Sequence, residues 1–457
     1  MAKFKISSLR TVRQWPTLTK DNRVSFFSND WKSSRPKFVR PVIGGGVMFM
    51  LLFLGACSYF YGTLYHSNYR YDNFRVLAVD YDGGVIGRSL QAAYQQLEGP
   101  HFFNLEFRSP SEYPSDDNVL HAVWEGKYWA AIFATEGASE RLGAAIQGDN
   151  ADRYNPAEAL HYIWNGQYYP VFSTSVVKAN IQTLVAATRI AYNRINGTGA
   201  SAMLDQRNPA AVQALLNPIA ATERNIKDAS YSAAVLYGTI GSVTPVLSQF
   251  FFLLLLNGMF LEYQLYTQVT VGSSLVVRLG AGIFYSLGSA LVQAGYWWAF
   301  GEDWDVNGAQ FILTWLVLWV LMMDHQLLLE TAFLLVPLPA TPFIMLIWMF
   351  MNIPSTLSPL ELQAGFFHWA MAIPGYNAYA TLVTIWTGGA RNRLYRTLPI
   401  LFAWLVAGLI GTTLAHWRAC HLAFKRQRVD VLERRDDKSG EAGQPAEGVM
   451  VSNQPAV

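Results

Sequence analysis

The sequence predicts a polytopic α-helical membrane protein with six transmembrane helices, one plus five, and an exoplasmic α/β domain inserted between the first and second. Three observations lead there. Residues 41–65 and 235–420 hold six long apolar stretches, and about 20 mostly apolar residues suffice to cross a roughly 30 Å hydrocarbon core. A polar segment of about 170 residues separates the first stretch from the other five. Charge is sparse, 14% of the chain against about a quarter in soluble domains, and unevenly spread.

The first 40 residues carry ten Lys or Arg and two acids, Asp21 and Asp30. Basic residues flank cytoplasmic ends of spans, so this basic segment, 1–40, is expected in the cytosol. The stretch 42–61 contains no charged residue. It lies some 40 residues in and lacks a small-x-small cleavage site before Tyr59–Tyr61, so residues 41–62 read as a signal anchor. That orientation places 66–233 in an exoplasmic space. Further spans are expected near 235–260, 279–299, 309–330, 332–353 and 398–417, within a five-helix domain covering 235–420. The six crossings return a largely disordered tail, 421–457, to the cytosol, where Arg418, Lys425, Arg426, Arg428, Arg434 and Arg435 follow the last span. Trp and Tyr gather near the expected span ends, at Tyr59, Tyr61, Tyr296 to Trp298, Trp304 and Trp417, the level amphipathic rings favour. Arg391, Arg393 and Arg396 fall outside and run against the charge rule.

The inserted segment reads as mixed α/β. FRVLAVDYD (74–82) alternates as a strand does and ends at Gly83-Gly84. A helix over 86–98 places Ile86, Leu90 and Leu97 on one face. Strands follow at 102–109, 127–135 and 159–172, with helices from Ser115 to Trp124, over 137–146 and over 175–195, then a looser helical stretch broken at Pro209 and Pro218. Val76, Ala78, Leu90, Leu97, Ala131 and Phe133 are the expected core. The two cysteines, Cys57 and Cys420, lie outside this domain, which must therefore fold without disulfides. Asn196-Gly197-Thr198, the one N-glycosylation sequon of the chain, makes Asn196 the expected glycosylation site.

No enzyme is expected. Asp80 and Asp82 before Gly83-Gly84 lack the Walker lysine-serine pattern and read as a solvated strand-to-helix turn; His101, His121 and His161 have no metal-ligand spacing. There is no nucleophile elbow and no dinucleotide-binding glycine pattern. Neither a catalytic residue, a cofactor, a metal nor a nucleic-acid partner is expected. Within the apolar part, Asp324, His325 and Glu330 fall where the fourth span meets the fifth, and Glu262 at the inner end of the second. They read either as a proton relay or substrate site or, preferably, as charges marking a short cytosolic hairpin. Pro337, Pro339 and Pro342 either break a helix around a pathway or shape that hairpin. If the chain transports, a pathway would run past Asn257, Glu262, Asp324, Glu330, Pro337 and Pro342. Residues 354–397 are too interrupted by Pro and Gly for a clean span and too apolar for an open loop. They should lie at the outer interface or re-enter, with a helix between Pro359 and Ile373 burying Leu362, Phe366, Trp369 and Ile373 on one side.

Three segments, LAVDYDGGVIGRSL (77–90), LYGTIGSVTPVLSQFFFLLLLNGMF and AIPGYNAYATLVTIWTGG (372–389), carry a family likeness. In them, and in the one-plus-five layout, the chain resembles the fungal nitrosoguanidine-resistance membrane protein family, related to type-2 ATP-binding-cassette exporter permeases and phage-infection-protein-like membrane proteins. The resemblance covers roughly 40–420. It implies a plasma-membrane or endomembrane protein, the plasma membrane first, that confers drug or mutagen resistance by exporting amphipathic compounds or by changing lipid distribution. The alternative is a non-transporting organiser or regulator of another pump or flippase. Membrane lipids, an amphipathic small-molecule substrate and a second copy in a homodimer are the partners to expect. The chain has no Walker A loop, so ATP-driven transport would need a separate subunit.

Overall fold

The computed structural model describes residues 25–229, 236–302 and 304–441, apart from the side chains of 338 and 430–441. Most of the basic segment 1–40 and the end of the tail lie outside the described residues. Residues up to Ser58 and residues from Tyr59 onward form two separate units. In the first, Phe26 packs with Phe27, Trp31 and Phe38, and the Arg35 guanidinium donates to the Phe26 carbonyl at 2.7 Å. Helix α1 (Arg35–Leu64) starts there and continues through Pro41.

The second unit opens with a five-stranded sheet of order β2-β1-β3-β4-β5. Strand β1 (Arg75–Asp80) lies between β2 (Asn104–Arg108) and β3 (Ala130–Ala134), parallel to both. Strand β4 (Leu160–Trp164) runs antiparallel to β3, Phe133 opposite His161, and parallel to β5 (Ala221–Asn225). Because strand side chains alternate, β1 feeds two cores. Val76 and Ala78 join Ile86 and Leu90 on one face, while Leu77 and Val79 join Val119, Ala131 and Phe133 on the other. Helices α2 (Val85–Leu97), α3 (Asp116–Trp124) and α4 (Ala138–Ile146) connect the strands. The Ser115 hydroxyl accepts from the Asn118 N–H and caps α3, as an N-cap serine does.

Several sequence boundaries are corrected. The fourth strand ends at Trp164 rather than 172, because Pro170 opens a helical turn. A π-helical turn (Ser173–Lys178) then leads into α5 (Ala179–Met203), eight residues longer than expected at its far end. The looser helical stretch resolves into α6 (Pro209–Leu216) and β5, whose exposed, polar Thr-Glu-Arg centre hides its strand character. Leu97 is only partly buried at the rim of the core.

Among the described residues five helices are long and apolar enough to cross a membrane: α1, α7 (Tyr237–Glu262), α8 (Val271–Ala299), α9 (Gly308–Leu335) and the Leu394–Val429 part of α12 (Leu394–Glu441). The two spans expected at 309–330 and 332–353 are not equal. Helix α9 runs unbroken to Leu335, opened by a capping box between Asn307 and Gln310. The next apolar helix is shorter, spanning Thr341–Leu357, with α10 (Thr341–Asn352) as its main part. At about 1.5 Å per residue it rises roughly 25 Å. Its far end reaches the α/β domain, where the Tyr169 hydroxyl donates to the Ser355 carbonyl at 2.5 Å.

Residues 358–373 then turn back into the bundle as 3₁₀ turns (Leu360–Leu362 and Gly365–Ala372). The Ala372 carbonyl meets the Trp404 indole N–H at 2.7 Å, roughly 15 Å along α12. From this depth α11 (Pro374–Trp386) climbs back, buried on almost every side. The helix expected between Pro359 and Ile373 is therefore two 3₁₀ pieces rather than one amphipathic helix. Leu362 and Ile373 are buried, but Phe366 and Trp369 are exposed, since three residues per turn line up 366 and 369 along one outer edge. The tail is corrected too: 421–441 continue α12 as helix, as a stretch rich in Lys, Arg, Gln and Glu favours.

Candidate functional site

Helix α8 buries a stripe of small and polar residues: Ser274, Arg278, Gly282, Ser286 and Gln293. Four-residue spacing keeps such positions on one helical face, here turned to α7 and α9. Gly282 admits α9 closely; a Cβ there would overlap the Gln326 side chain. Small residues of this kind are what allow helices to approach in a membrane.

Hydrogen bonds follow the stripe from end to end. Nearest the α/β domain, Thr244 donates to Gln293 Oε1 at 3.0 Å. Next, Ser248 lies 2.7 Å from the Ser289 hydroxyl and 2.9 Å from that of Tyr285. Ser286 Oγ lies 2.8 Å from Gln326 Oε1 and 3.2 Å from Gln249 Oε1. Then comes Arg278. Its Nε donates to Glu330, its Nη2 to Asn257 Oδ1 at 2.6 Å and its Nη1 to the Tyr266 hydroxyl at 2.7 Å. The guanidinium also lies over the Phe260 ring, 4.7 Å from its centroid. Last, Ser274 Oγ meets His416 Nε2 at 2.7 Å, and Cys420 Sγ lies 3.5 Å from the same nitrogen.

Arg278 and Glu330 are 0% and 1% exposed. An isolated charge within a span costs about 2.5–3.5 kcal/mol or more; here each is the other's counter-ion. Asp324, 1% exposed, has no donor on either carboxylate oxygen among the described residues. Its neighbour His325, fully buried, takes the Trp348 indole N–H on Nδ1 at 2.9 Å. That bond assigns the remaining ring proton of a neutral imidazole to Nε2.

These positions overturn the preferred sequence reading of Asp324, His325 and Glu330 as hairpin charges. Because α9 continues to Leu335, Asp324 lies about three turns inside the bundle and Glu330 about one and a half. Of the six pathway candidates, Asn257 and Glu330 meet at Arg278. Asp324 sits further along α9. Glu262 closes α7, exposed and outside the cluster. Pro337 is exposed in the connection between α9 and α10, and Pro342 stands in the first turn of α10, where a proline costs no hydrogen bond. The prolines shape the hairpin. Arg278, Tyr266, Gln249, Ser286 and Gln326 escaped the sequence reading, which began the third span at 279. A lone arginine with Ser274, Gly282 and Ser286 at four-residue steps was the available signal.

A cavity of about 390 Å³ opens at the end of the bundle remote from the α/β domain, lined by Tyr266, Val269, Thr270, Val271, Cys420 and Phe424 among others. Tyr266 thus stands between this cavity and Arg278.

A family model described as "Protein of unknown function (DUF3533)" matches residues 46–410. The chain belongs to the DUF3533 family. No curated protein and no solved structure matches it. The matched span of this DUF3533 chain takes in the α/β domain and the polar seam up to Ser274, but stops short of His416 and Cys420.

In the DUF3533 α/β domain, Asp80 and Asp82 organise a turn. Asp80 Oδ1 accepts from the N–H groups of Asp82 and Gly83 at 3.1 and 3.0 Å. The Asp82 carboxylate accepts from Gly84 N–H at 3.1 Å, from Ser139 N–H at 2.7 Å and from the Ser139 hydroxyl, binding the start of α2 to α4. Burial raises the Asp80 carboxyl above the ordinary carboxylate range, against the pull of its two N–H donors. Gly83 takes φ +59°, the left-handed region that favours glycine. Among the described residues no group of three His, Cys, Asp or Glu could hold a metal. His101 contacts the Asn68 carbonyl and His121 pairs with Glu125. Asn196 sits within α5, half-buried, its side-chain amide donating to the Tyr192 hydroxyl at 3.2 Å.

Arg391, one of the three basic residues that run against the charge rule, is 7% exposed. Its guanidinium carbon lies 3.7 Å from the Tyr168 ring centroid and 4.7 Å from that of Trp129, while the Arg391 backbone N–H donates to the Trp124 carbonyl at 2.7 Å. Tyr169, at φ +46°, donates its N–H to the Tyr379 hydroxyl at 3.0 Å. The α/β domain is thereby latched onto α11 and the start of α12.

Proposed function

We propose that this DUF3533 protein is a membrane transporter that moves amphipathic compounds or lipids between the two faces of the bilayer, and so confers resistance to toxic amphiphiles or mutagens. The observation that carries this reading is the polar seam along α8, with Arg278 and Glu330 buried in it and Asp324, without a partner among the described residues, buried further along α9, in a bundle otherwise built of apolar helices. Ionisable residues in spans are costly, and where they occur they mark substrate or ion pathways. The shorter helix 341–357 supplies the sixth crossing, 358–386 re-enters from the outer face, and both termini are cytosolic. The plasma membrane is the proposed site of action.

The test is purified full-length protein in liposomes, with no other protein present, scored for release of a fluorescent dye and for transbilayer movement of a fluorescent lipid. Protein-dependent movement that falls at least tenfold with Asp324→Asn, at unchanged protein content, supports transport. Its absence for every probe overturns the reading and leaves a regulator of another pump. Orientation is tested by a cysteine introduced at exposed Ser111 in a Cys57→Ser, Cys420→Ser background. An impermeant maleimide added to intact cells should label it.

A further inference from the structure

We infer that the cavity beside Tyr266 receives the head of an anionic amphiphile and that Arg278 is the group that binds it. This names a substrate class for the transport reading and rests on it. Arg278 has five N–H donors in a planar fork suited to two oxygens of one anion. Glu330 accepts only from Nε; the Nη1 and Nη2 edge is spent on two neutral acceptors, the Tyr266 hydroxyl at 2.7 Å and Asn257 Oδ1 at 2.6 Å. A carboxylate, phosphate or sulfate head would replace those neutral acceptors with charge-assisted ones on Nη1 and Nη2, in competition with Glu330 for the one positive charge.

Space and chemistry agree. The cavity of about 390 Å³, bounded by Tyr266, Val269, Val271, His421 and Phe424 among others, is within the usual size of ligand clefts, about 300–1,000 Å³. Its wall carries no acid that would repel an anion. Val269, Val271 and Phe424 offer apolar surface for the first part of an acyl chain. Tyr266 lines the cavity and accepts from Arg278 Nη1 at 2.7 Å, so displacing its hydroxyl would join the two. The cavity lies at the membrane end remote from the α/β domain, where an amphiphile in that leaflet can enter laterally.

The experiment uses full-length protein in phosphatidylcholine nanodiscs. Fluorescent phosphatidylserine, phosphatidylcholine of equal chain length and a fluorescent fatty acid are the probes, with inorganic phosphate as competitor. Binding of phosphatidylserine about tenfold tighter than phosphatidylcholine is expected, the order of one charge-assisted fork. The fatty acid should share the preference. Arg278→Lys, which keeps the charge and loses the fork, should reduce it. Glu330→Gln, which keeps the arginine and removes the competing acid, should increase it. Equal binding of the anionic and zwitterionic probes by the wild type overturns the inference, and that arm needs no variant to fold. Displacement by phosphate as effective as by lipid assigns the site to free anions and overturns the amphiphile. Selective binding without transbilayer movement refutes transport but not this site; movement without selectivity does the reverse.

Discussion

Replacing Glu330 with leucine would leave the Arg278 guanidinium buried without a counter-charge. The size of the effect follows from the surroundings. Arg278 is fully buried, the Glu330 side chain is 2% exposed, and Glu330 is the one anion bonded to Arg278 among the described residues. Asn257 and Tyr266 would remain as neutral acceptors, so the arginine keeps hydrogen bonds while losing charge balance. Removing one partner of a buried pair costs about 3–5 kcal/mol, whereas replacing both by apolar groups of similar volume is often neutral or stabilising. Glu330→Leu should therefore lose about 3 kcal/mol, and Arg278→Met combined with Glu330→Leu should regain most of it. Glu330→Gln, which keeps a polar acceptor, should fall between wild type and Glu330→Leu. Denaturant unfolding of the purified protein in mixed micelles, followed through tryptophan fluorescence, measures the series. A single variant as stable as wild type, or a double variant no better than the single, would refute the ion pair as described.

Three further outcomes concern the α/β domain and its latch. Leu90, 0% exposed on the buried face of α2, should not accept aspartate. An unpaired carboxylate there costs several kcal/mol, and limited proteolysis should cut the domain of Leu90→Asp far faster than wild type. Arg391→Ala removes the guanidinium stacked on Trp129 and Tyr168. At up to about 2 kcal/mol per desolvated cation–π contact, a loss of 2–4 kcal/mol should appear as faster hydrogen exchange at the Gly126–Trp129 turn and in 387–393, with the far ends of α8 and α9 unchanged. Finally, the Arg75 hydrogen bond, with help from Arg108, lowers the Glu106 carboxyl to about 2. A folded value below the unfolded one stabilises above the unfolded value, and the contribution disappears as pH falls from about 4.5 towards 2. Arg75 and Arg108 are about half exposed, so it amounts to about 1 kcal/mol. Exchange of the β1–β2 amides, corrected for intrinsic rates, should accelerate between pH 5 and 2.5 in wild type and not in Glu106→Gln.

Some of this architecture is legible in the sequence because one physical effect dominates there. Long uncharged runs declare the spanning helices; β1, α2 and α3 are declared by alternation, a helical face and the Ser115 cap. The errors fall where local pattern and tertiary packing disagree. Uniform apolarity predicts spans of equal length at 309–330 and 332–353, which puts Asp324 and Glu330 near a helix junction, whereas the Asn307 capping box and the Pro337 connection set unequal helices. Arg278 is illegible for a related reason: a charge argues against a span in any local window, and the partner that balances it is 52 residues away. Strand β5 was missed because its polar residues do work that no local window reveals: Glu223 accepts from the Tyr162 hydroxyl and the Trp164 indole N–H, both at 2.8 Å, and pairs with Lys178.

Arg391 shows the converse case, in which a charge that seemed misplaced is explained by the fold. Sequence rules weigh arginine as a topogenic charge facing water or lipid headgroups. Here the aromatic faces of Trp129 and Tyr168 take it up, and Gly126, at φ +74°, leaves room for it; a Cβ at that glycine would press on its side chain. The same contact brings 387–393 against the α/β domain, and so fixes the upper end of α11, whose Trp386 indole donates to Thr314 of α9 at 3.0 Å. Helix α9 carries Asp324 and Glu330 further down. The α/β domain and the polar seam therefore share a continuous set of packed elements, α11 and α9, and a change in the domain's latch has a structural route to the buried acids. Whether that route carries energy is measurable: if Arg391→Ala and Glu330→Leu lower stability additively, the two ends are independent, and a shortfall or excess beyond about 0.5 kcal/mol marks coupling.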